Sequence, residues 1–130
     1  MKFKIVWRYK KIKRKKRRKV ASPQYILHKT AALEFARARM LHFNAFYHFP
    51  VNNIAIKNQK TRWGSCSKKG NLNFNYRLVL LPTHLADYII VHELCHLKEF
   101  NHSPAFWALV AQTIPDYQKI RKEFKGVRMQ

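Results

Sequence analysis

Two histidines four residues apart, His92 and His96, enclose the sequence Glu-Leu-Cys. Side chains at this spacing lie on one face of a helix about one turn apart, so both imidazoles can reach one metal ion. Glu93 is turned about 100° from His92, which places its carboxylate beside the metal, where it can accept a proton from water without being a ligand. The pattern predicts a hydrolytic metal site in which Glu93 is the general base.

A catalytic zinc site usually has three protein ligands and one open position, so two histidines are not enough. His102 follows His96 by six residues, and a reversal of the chain at Asn101 would return its imidazole to the metal. Asparagine tolerates the left-handed conformation that such a reversal often needs. We therefore predict that His102 completes a Zn²⁺ site with the two histidines. The alternative third ligand is Glu123 on the last predicted helix.

Three further polar or thiol side chains near the motif have more ordinary interpretations. Glu99 is expected to orient an imidazole rather than to bind metal. His84 lies two turns before His92 and is expected at the surface, while Cys95 points about 100° away from His96 and is interpreted as a small core residue. The alternative for the whole motif is a buried helix without metal, but its carboxylate and imidazoles would each cost desolvation energy unless partnered.

A long helix is predicted ahead of the motif, because Ser22 can cap its first turn and Pro23 is suited to the first helical position. It should extend over residues 24–47, since Pro50 cannot continue a helix. Its apolar residues recur at helical spacing and are predicted to face the core. They are Leu27, Ala31, Phe35, Ala38, Leu41 and Ala45.

Short strands are predicted between Val51 and Pro82, where apolar residues alternate between turn residues. The three segments read NIAIK, QKTRWGSCS and LNFNYRLVLL. Gly70 can adopt a positive φ, which favours a hairpin turn between the second and third strands. Residues 3–9 also alternate in part and are compatible with one more short strand.

Three helices are predicted after the strands, which makes the chain an α+β protein. Ser103 and Pro104 repeat the cap-and-proline start of the long helix. The three predicted helices run from Thr83 to about Phe100, which carries the histidine motif, from Pro104 to Thr113, and from Pro115-Asp116 to a closing Gly126.

Charge is distributed unevenly along the chain, which has 27 Lys and Arg against six Asp and Glu and a formal net charge of +21. Twelve of the basic residues and none of the acidic ones lie in residues 1–20. Such dense like charge cannot form a compact element, so residues 1–20 are predicted to be a solvated basic arm, followed by a domain over residues 21–130. The arm is suited to contact phosphates of RNA or DNA, and a solubility tail is the alternative.

One domain is expected, because 130 residues with 47% hydrophobic content suffice for one core and not for two. Two cysteines, Cys66 and Cys95, cannot form a disulfide framework. No apolar run approaches the roughly 20 residues that span a bilayer, and no apolar stretch follows the basic N-terminus as in a secretory signal. We therefore expect a cytoplasmic location and no membrane partner, and the sequence leaves the oligomeric state open.

Several motifs in a fixed order resemble the YgjP-like metallopeptidase-like family, which is related to the SprT and WLM zinc proteases. The resemblance covers about residues 53–112. The matching segments are Arg62–Ser67, Asn75–Leu78 with Pro82, Asp87–Tyr88, His92–His96, Asn101–Ser103 and Phe106–Trp107. Family members carry a longer, strand-rich segment before this core, where the present chain has only a compressed basic stretch.

The resemblance implies a minimal zincin fold with a long N-terminal helix, a small antiparallel sheet, the HExxH helix and trailing C-terminal helices. It also implies that the three histidines bind zinc and that Glu93 is the catalytic base. The expected reaction is hydrolysis of an amide bond in a peptide or protein substrate. Tyr88, one turn before His92, is a candidate donor to the oxyanion, with a core aromatic residue as the alternative.

Substrate binding is assigned to the segment around the second predicted strand. The strand over residues 61–67 offers an edge to which an extended peptide can add. Trp63 is interpreted as a core anchor or as a wall of the substrate site. Arg62 is a candidate substrate-binding residue in the same strand.

Two other functions stay open. Some members of the resembled family are described as nucleotide pyrophosphatases acting on UTP, and here Lys60, Arg62, Lys68 and Lys69 are candidates to bind a triphosphate. A solvated hairpin surface is the alternative for these four cations. The third reading is a nucleic-acid-binding module in which the basic arm does the binding and the zinc site is not catalytic.

Overall fold

A computed structural model of the chain describes residues 20–129. The elements of the described chain are α1 (Pro23–Tyr47), β1 (Asn53–Lys57), β2 (Gly64–Cys66), β3 (Asn71–Asn75), a 3₁₀ helix (Tyr76–Leu80), α2 (Thr83–Cys95), α3 (Pro104–Thr113) and α4 (Tyr117–Lys125). The predicted α+β class and order of elements are confirmed. The predicted strand at residues 3–9 and nearly all of the basic arm lie outside the described residues.

Helix α1 begins and ends as predicted, but it turns a different face to the core. The Ser22 hydroxyl caps its first turn by accepting a hydrogen bond from the Tyr25 N–H at 3.2 Å. The predicted core stripe is wrong, because Leu27 and Leu41 are 73% and 74% exposed. The buried residues are Ala32, Ala36, Met40, Phe43 and Tyr47, on the opposite side of the helix. Since α1 is apolar on both sides, its periodicity does not show which side packs inward.

The three strands form a mixed sheet in the order β1-β3-β2. Strands β2 and β3 form the predicted antiparallel hairpin, and Gly70 in its turn has a φ of 84°. Strand β1 runs parallel to β3, so the expectation of a wholly antiparallel sheet is wrong. The Asn52 N–H donates to the Gly70 carbonyl at 2.8 Å, so β1 and β3 start at the same end of the sheet.

The third predicted strand is shorter than its apolar pattern indicates, because Asn75 ends it. The Asn75 side chain is buried, and its oxygen accepts a hydrogen bond from the Arg77 N–H at 3.1 Å, which caps the 3₁₀ helix. Its amide also donates to the Gln59 carbonyl at 2.6 Å. The Asn75 side chain thus bonds to backbone groups that could otherwise pair between strands, and the chain continues as a 3₁₀ helix.

Helix α2 lies at the centre of the described fold and packs against α1, α3, α4, β2 and the 3₁₀ helix. Most of its residues are buried, as expected for a helix that is apolar almost all round. Arg39 on α1 makes a bidentate ion pair with Asp87 on α2, with N–O distances of 2.7 and 2.8 Å. None of the helices in residues 20–129 is both long enough and apolar enough to cross a bilayer.

Candidate metal centre

The end of α2 brings the three predicted histidines to one place. The helix ends at Cys95 rather than near Phe100, because the Leu97 and Lys98 amides bond to carbonyls three residues back and tighten the chain. Asn101 does not adopt the left-handed conformation predicted for the reversal. The tightened turn changes the chain direction instead, and Ser103 then caps α3 through the Phe106 N–H.

The imidazoles of His92, His96 and His102 point at one another through their Nε2 atoms. Each of the three Nε2–Nε2 distances is 3.1 Å. Together they form a cluster that could hold a metal ion, and it is more exposed on the His102 side. On that open side, an ion bound by the three nitrogens would remain accessible to a solvent molecule.

The donor set fits a tetrahedral metal such as zinc. Nitrogen ligands at about 2.0–2.1 Å from zinc lie roughly 3.3 Å apart in a tetrahedral site, close to the separation observed here. The ring of His96 is held by its Nδ1, which lies 3.0 Å from the Glu99 carbonyl oxygen. An N–H at this Nδ1 leaves Nε2 free to bind metal. Glu99 therefore orients an imidazole as predicted, although through its backbone oxygen and not its carboxylate.

His92 is the most buried of the three rings, and its Nδ1 has no hydrogen-bond partner among the described residues. Burial, together with smaller effects of the neighbouring His96, His102 and Arg121, lowers the pKa of His92 to about 3. Burial also lowers the pKa of His96. Rings with lowered pKa values stay neutral near pH 7, which is the protonation state that binds metal.

Glu93 lies against strand β2 and is only 8% exposed. Burial raises the pKa of its carboxyl to about 7, against a smaller opposing effect of Arg62. Gly64 in β2 makes room for this side chain, since a Cβ at Gly64 would lie 2.9 Å from the Glu93 Cγ. Sequence reasoning quoted Gly64 only as part of a motif, although a glycine inside a strand is a signal of close approach by a neighbour.

A cavity of about 290 Å³ opens beside the histidine cluster. Its lining residues come from α2 and α4, and they are Tyr88, Ile89, His92, Glu93, Arg121, Phe124 and Lys125. Tyr88 is buried, with its ring centre 5.8 Å from that of His92, so it borders the site. Burial raises the pKa of its hydroxyl, which therefore stays protonated and able to donate.

Arg121 is a site residue that sequence reasoning missed. Its guanidinium lies 4.6 Å from the centre of the Trp107 ring, which in turn stacks near His102 with ring centres 5.8 Å apart. It also borders the cavity that contains Glu93. The only sequence signal was an arginine on the amphipathic last helix. Its place beside the site depends on the packing of α4 against α2, which the sequence does not specify.

The remaining predicted residues lie at or beyond the edge of the site. Trp63 is half-buried and packs edge-on against Phe124 of α4, with ring centres 5.6 Å apart, as a core anchor would. Arg62 is exposed, and its positive charge acts to lower the pKa of Glu93, against the larger effect of burial. Glu123 is not part of the cluster of His92, His96 and His102, and it pairs instead with His84 at 2.9 Å on the surface. The alternative prediction, that Glu123 is the third ligand, is therefore wrong. His84 is exposed, as predicted.

Comparisons with known proteins agree with this geometry. No curated protein matches the chain. The metallopeptidase zymogen abylysin of Pyrococcus abyssi is 28% identical, with a TM-score of 0.54 over 76% of this chain and 95% of that one. The metallopeptidase zymogen jannalysin of Methanocaldococcus jannaschii is 25% identical, with a TM-score of 0.56 over 72% and 92%. The model of the YgjP-like metallopeptidase domain matches residues 3–126, so the chain belongs to the YgjP-like metallopeptidase family.

Proposed function

We propose that this protein is a zinc-dependent peptidase that hydrolyses amide bonds, with Glu93 as the general base. The observation that carries the proposal is the triangle of three Nε2 atoms, 3.1 Å apart, together with the buried Glu93 carboxylate, which lines the same cavity as His92. The family of the chain supports the same class of hydrolase.

A zinc ion bound by the three histidines would polarise the scissile carbonyl and make water more acidic. Glu93 is proposed to accept a proton from the attacking water and to deliver it to the leaving amine. Its side chain packs closely against Gly64 of β2. Tyr88 is proposed to donate a hydrogen bond to the oxyanion, because its hydroxyl keeps its proton and its ring borders the same cavity.

The substrate is proposed to be an extended peptide that adds to strand β2. This strand is one of the two outer strands of the described sheet, so one of its edges has no neighbouring strand there. The cavity beside Glu93 has apolar walls from Ile89 and Phe124 and the cations Arg121 and Lys125 on its α4 side. It is suited to an apolar side chain next to the scissile bond, with an acidic group beyond it.

The test is hydrolysis of an unfolded polypeptide by the purified, zinc-loaded protein. Because the abylysin and jannalysin structures are of zymogens, intact protein is compared with protein after limited proteolysis. Glu93→Gln should lower kcat by about a thousandfold, since a general base typically contributes 10²–10⁴-fold. The matched control is Asp116→Asn, an exposed acid at the start of α4, which should keep full activity. Equal turnover by Glu93→Gln would refute the assignment of the base.

Hydrolysis of a nucleoside triphosphate is a second candidate function, for which another cavity, separate from the three histidines and Glu93, offers binding groups. This cavity measures about 650 Å³, and its lining includes the cations Lys60, Arg77 and Arg128 and the aromatic residues Trp63 and Tyr76. Cations and aromatic rings together can bind phosphates and a base. Turnover of UTP, but of no polypeptide, by the same preparations would favour this candidate. Salt-sensitive RNA binding without turnover of either substrate would favour the binding module.

A further inference from the structure

The outer face of α1 is an apolar stripe on the side opposite the core. Leu27 and Leu41 are 73% and 74% exposed, and Ala31, Ala38 and Ala45 are exposed as well. Isolated exposed apolar residues are common, but five on one face of one helix form a stripe, with Glu34 the charged residue at its middle. We call these five residues and Glu34 the outer stripe of α1.

The outer stripe has the spacing of a coiled-coil seam. Ala31, Ala38 and Ala45 are seven residues apart, and so are Leu27, Glu34 and Leu41. Alternating steps of four and three residues place the two series side by side along one line of the helix. The three alanines allow another helix to approach closely. The stripe is therefore shaped to receive a second helix of the same repeat.

We propose that the outer stripe pairs with the outer stripe of a second copy of this chain, with the two α1 helices antiparallel. In this arrangement the leucine series of one helix faces the alanine series of the other. Leu27 then packs against Ala45 of the second copy, and Leu41 packs against Ala31 of the second copy. Each large side chain meets a small one, and the contact is the same from both sides, as two-fold symmetry requires.

Charge favours the antiparallel arrangement over a parallel one. Glu34 is the only acidic residue of α1, and it would face Glu34 of the second copy in a parallel pair. In the antiparallel pair it lies beside the exposed Arg37 of the second copy, twice by symmetry. The basic residues of the 1–20 segment join α1 at its N-terminal end. Antiparallel pairing separates the two basic segments by the length of the helix, roughly 37 Å for 25 residues.

The proposed dimer leaves the metal centre open, because the outer stripe is on the far side of α1 from the core that α2 occupies. The net charge of +21 on each copy opposes association. Added salt screens this repulsion over a Debye length of about 10 Å at 0.1 M and about 4 Å at 0.5 M. Association is therefore expected to become stronger, not weaker, as the salt concentration rises.

The test is sedimentation equilibrium of the full chain at low and at high salt. The wild type should form dimers with an affinity that rises with salt. Leu41→Glu should be monomeric at both salt concentrations. The matched control is Ile26→Glu, since Ile26 is 64% exposed on the same helix but lies about 100° around it from Leu27. This control should dimerise like the wild type.

A charge exchange tests the register. Glu34→Arg and Arg37→Glu should each weaken the dimer by about fivefold, because each variant places like charges together at two symmetric positions. The double variant should recover most of the lost affinity. A monomeric wild type at high salt would overturn the proposal, and so would equal dimerisation of Leu41→Glu. Failure of the double variant to recover affinity would overturn the antiparallel register.

Discussion

Replacing Gly64 with alanine would place a methyl group between strand β2 and the side chain of Glu93. The new Cβ would lie 2.9 Å from the Glu93 Cγ and 3.1 Å from the Asn73 carbonyl oxygen. Carbon atoms in contact prefer about 3.5–4.0 Å, so either the Glu93 side chain must move by about 0.6–1 Å or strand β2 must shift away from it. The Asn73 backbone is held in the β2–β3 pairing opposite Ser65, and the Glu93 side chain is therefore the group that yields.

A displacement of about 1 Å at a catalytic group typically costs about a hundredfold in rate. We expect Gly64→Ala to lower kcat/KM for a peptide substrate by about that factor. Bound zinc should stay at the wild-type level, because the methyl group meets Glu93 and not a histidine. The free energy of unfolding should fall by about 1–2 kcal/mol from overpacking, which a urea titration measures.

The matched control is Gly126→Ala. A Cβ at Gly126 would meet nothing closer than the Glu123 carbonyl at 3.5 Å, an ordinary contact, and the φ of this glycine is negative. The control should keep wild-type kcat/KM and wild-type stability. Full activity of Gly64→Ala would refute the view that β2 positions the catalytic carboxylate. Loss of its zinc would show that the substitution disturbs the ligands instead.

Three further predictions concern stability, metal and the basic arm. Asp87→Asn should lower the free energy of unfolding by about 1–2 kcal/mol, measured by urea titration, because it breaks the bidentate ion pair with Arg39. In the same titration Glu123→Gln should lower the free energy of unfolding by about 0.5 kcal/mol or less, because its pair with His84 is more exposed. Removal of the metal with a chelator should abolish hydrolysis and lower the Tm, since a ligand that binds the folded state stabilises it, and added zinc should restore both; an unchanged Tm would contradict a site that is formed in the fold. Deletion of residues 1–19 should leave zinc content unchanged but weaken RNA binding and flatten its salt dependence, and equal affinity at low salt would remove the arm from any role in binding.

The helices could be predicted because their ends are encoded by few residues. Ser22 with Pro23 and Ser103 with Pro104 fix the starts of α1 and α3, where the serine hydroxyl accepts an amide of the first turn. The core face of α1 could not be predicted in the same way. That helix carries an apolar series on each side, and the choice between them depends on where α2 and the 3₁₀ helix pack.

The sheet shows a second limit of the sequence. The alternation of apolar and polar residues predicted strands at β1 and β3, but it does not indicate which strand pairs with which or in what direction. The parallel pairing of these two strands aligns Asn53 with Asn71 and Lys57 with Asn75, and residues this far apart in the sequence do not reveal their partners by alternation. Asn75 ended the third strand early through bonds that its side chain makes after folding.

The candidate site could be predicted wherever spacing along one helix sufficed. His92 and His96 followed from the four-residue repeat, and His102 followed from the need for a third ligand. Gly64 and Arg121 could not be found in that way. Gly64 reaches Glu93 only across the contact between β2 and α2, and Arg121 reaches the cavity only after α4 docks.

Metal content per chain, measured by elemental analysis after gel filtration, tests the ligand assignment on which the proposed hydrolase depends. Wild type and Glu93→Gln should each hold one zinc per chain, because Glu93 lies next to the three proposed histidine ligands and is not proposed to be a ligand itself. His96→Ala should hold none while keeping its folded circular dichroism spectrum. One zinc in the His96→Ala protein, or none in the wild type, would contradict the metal centre.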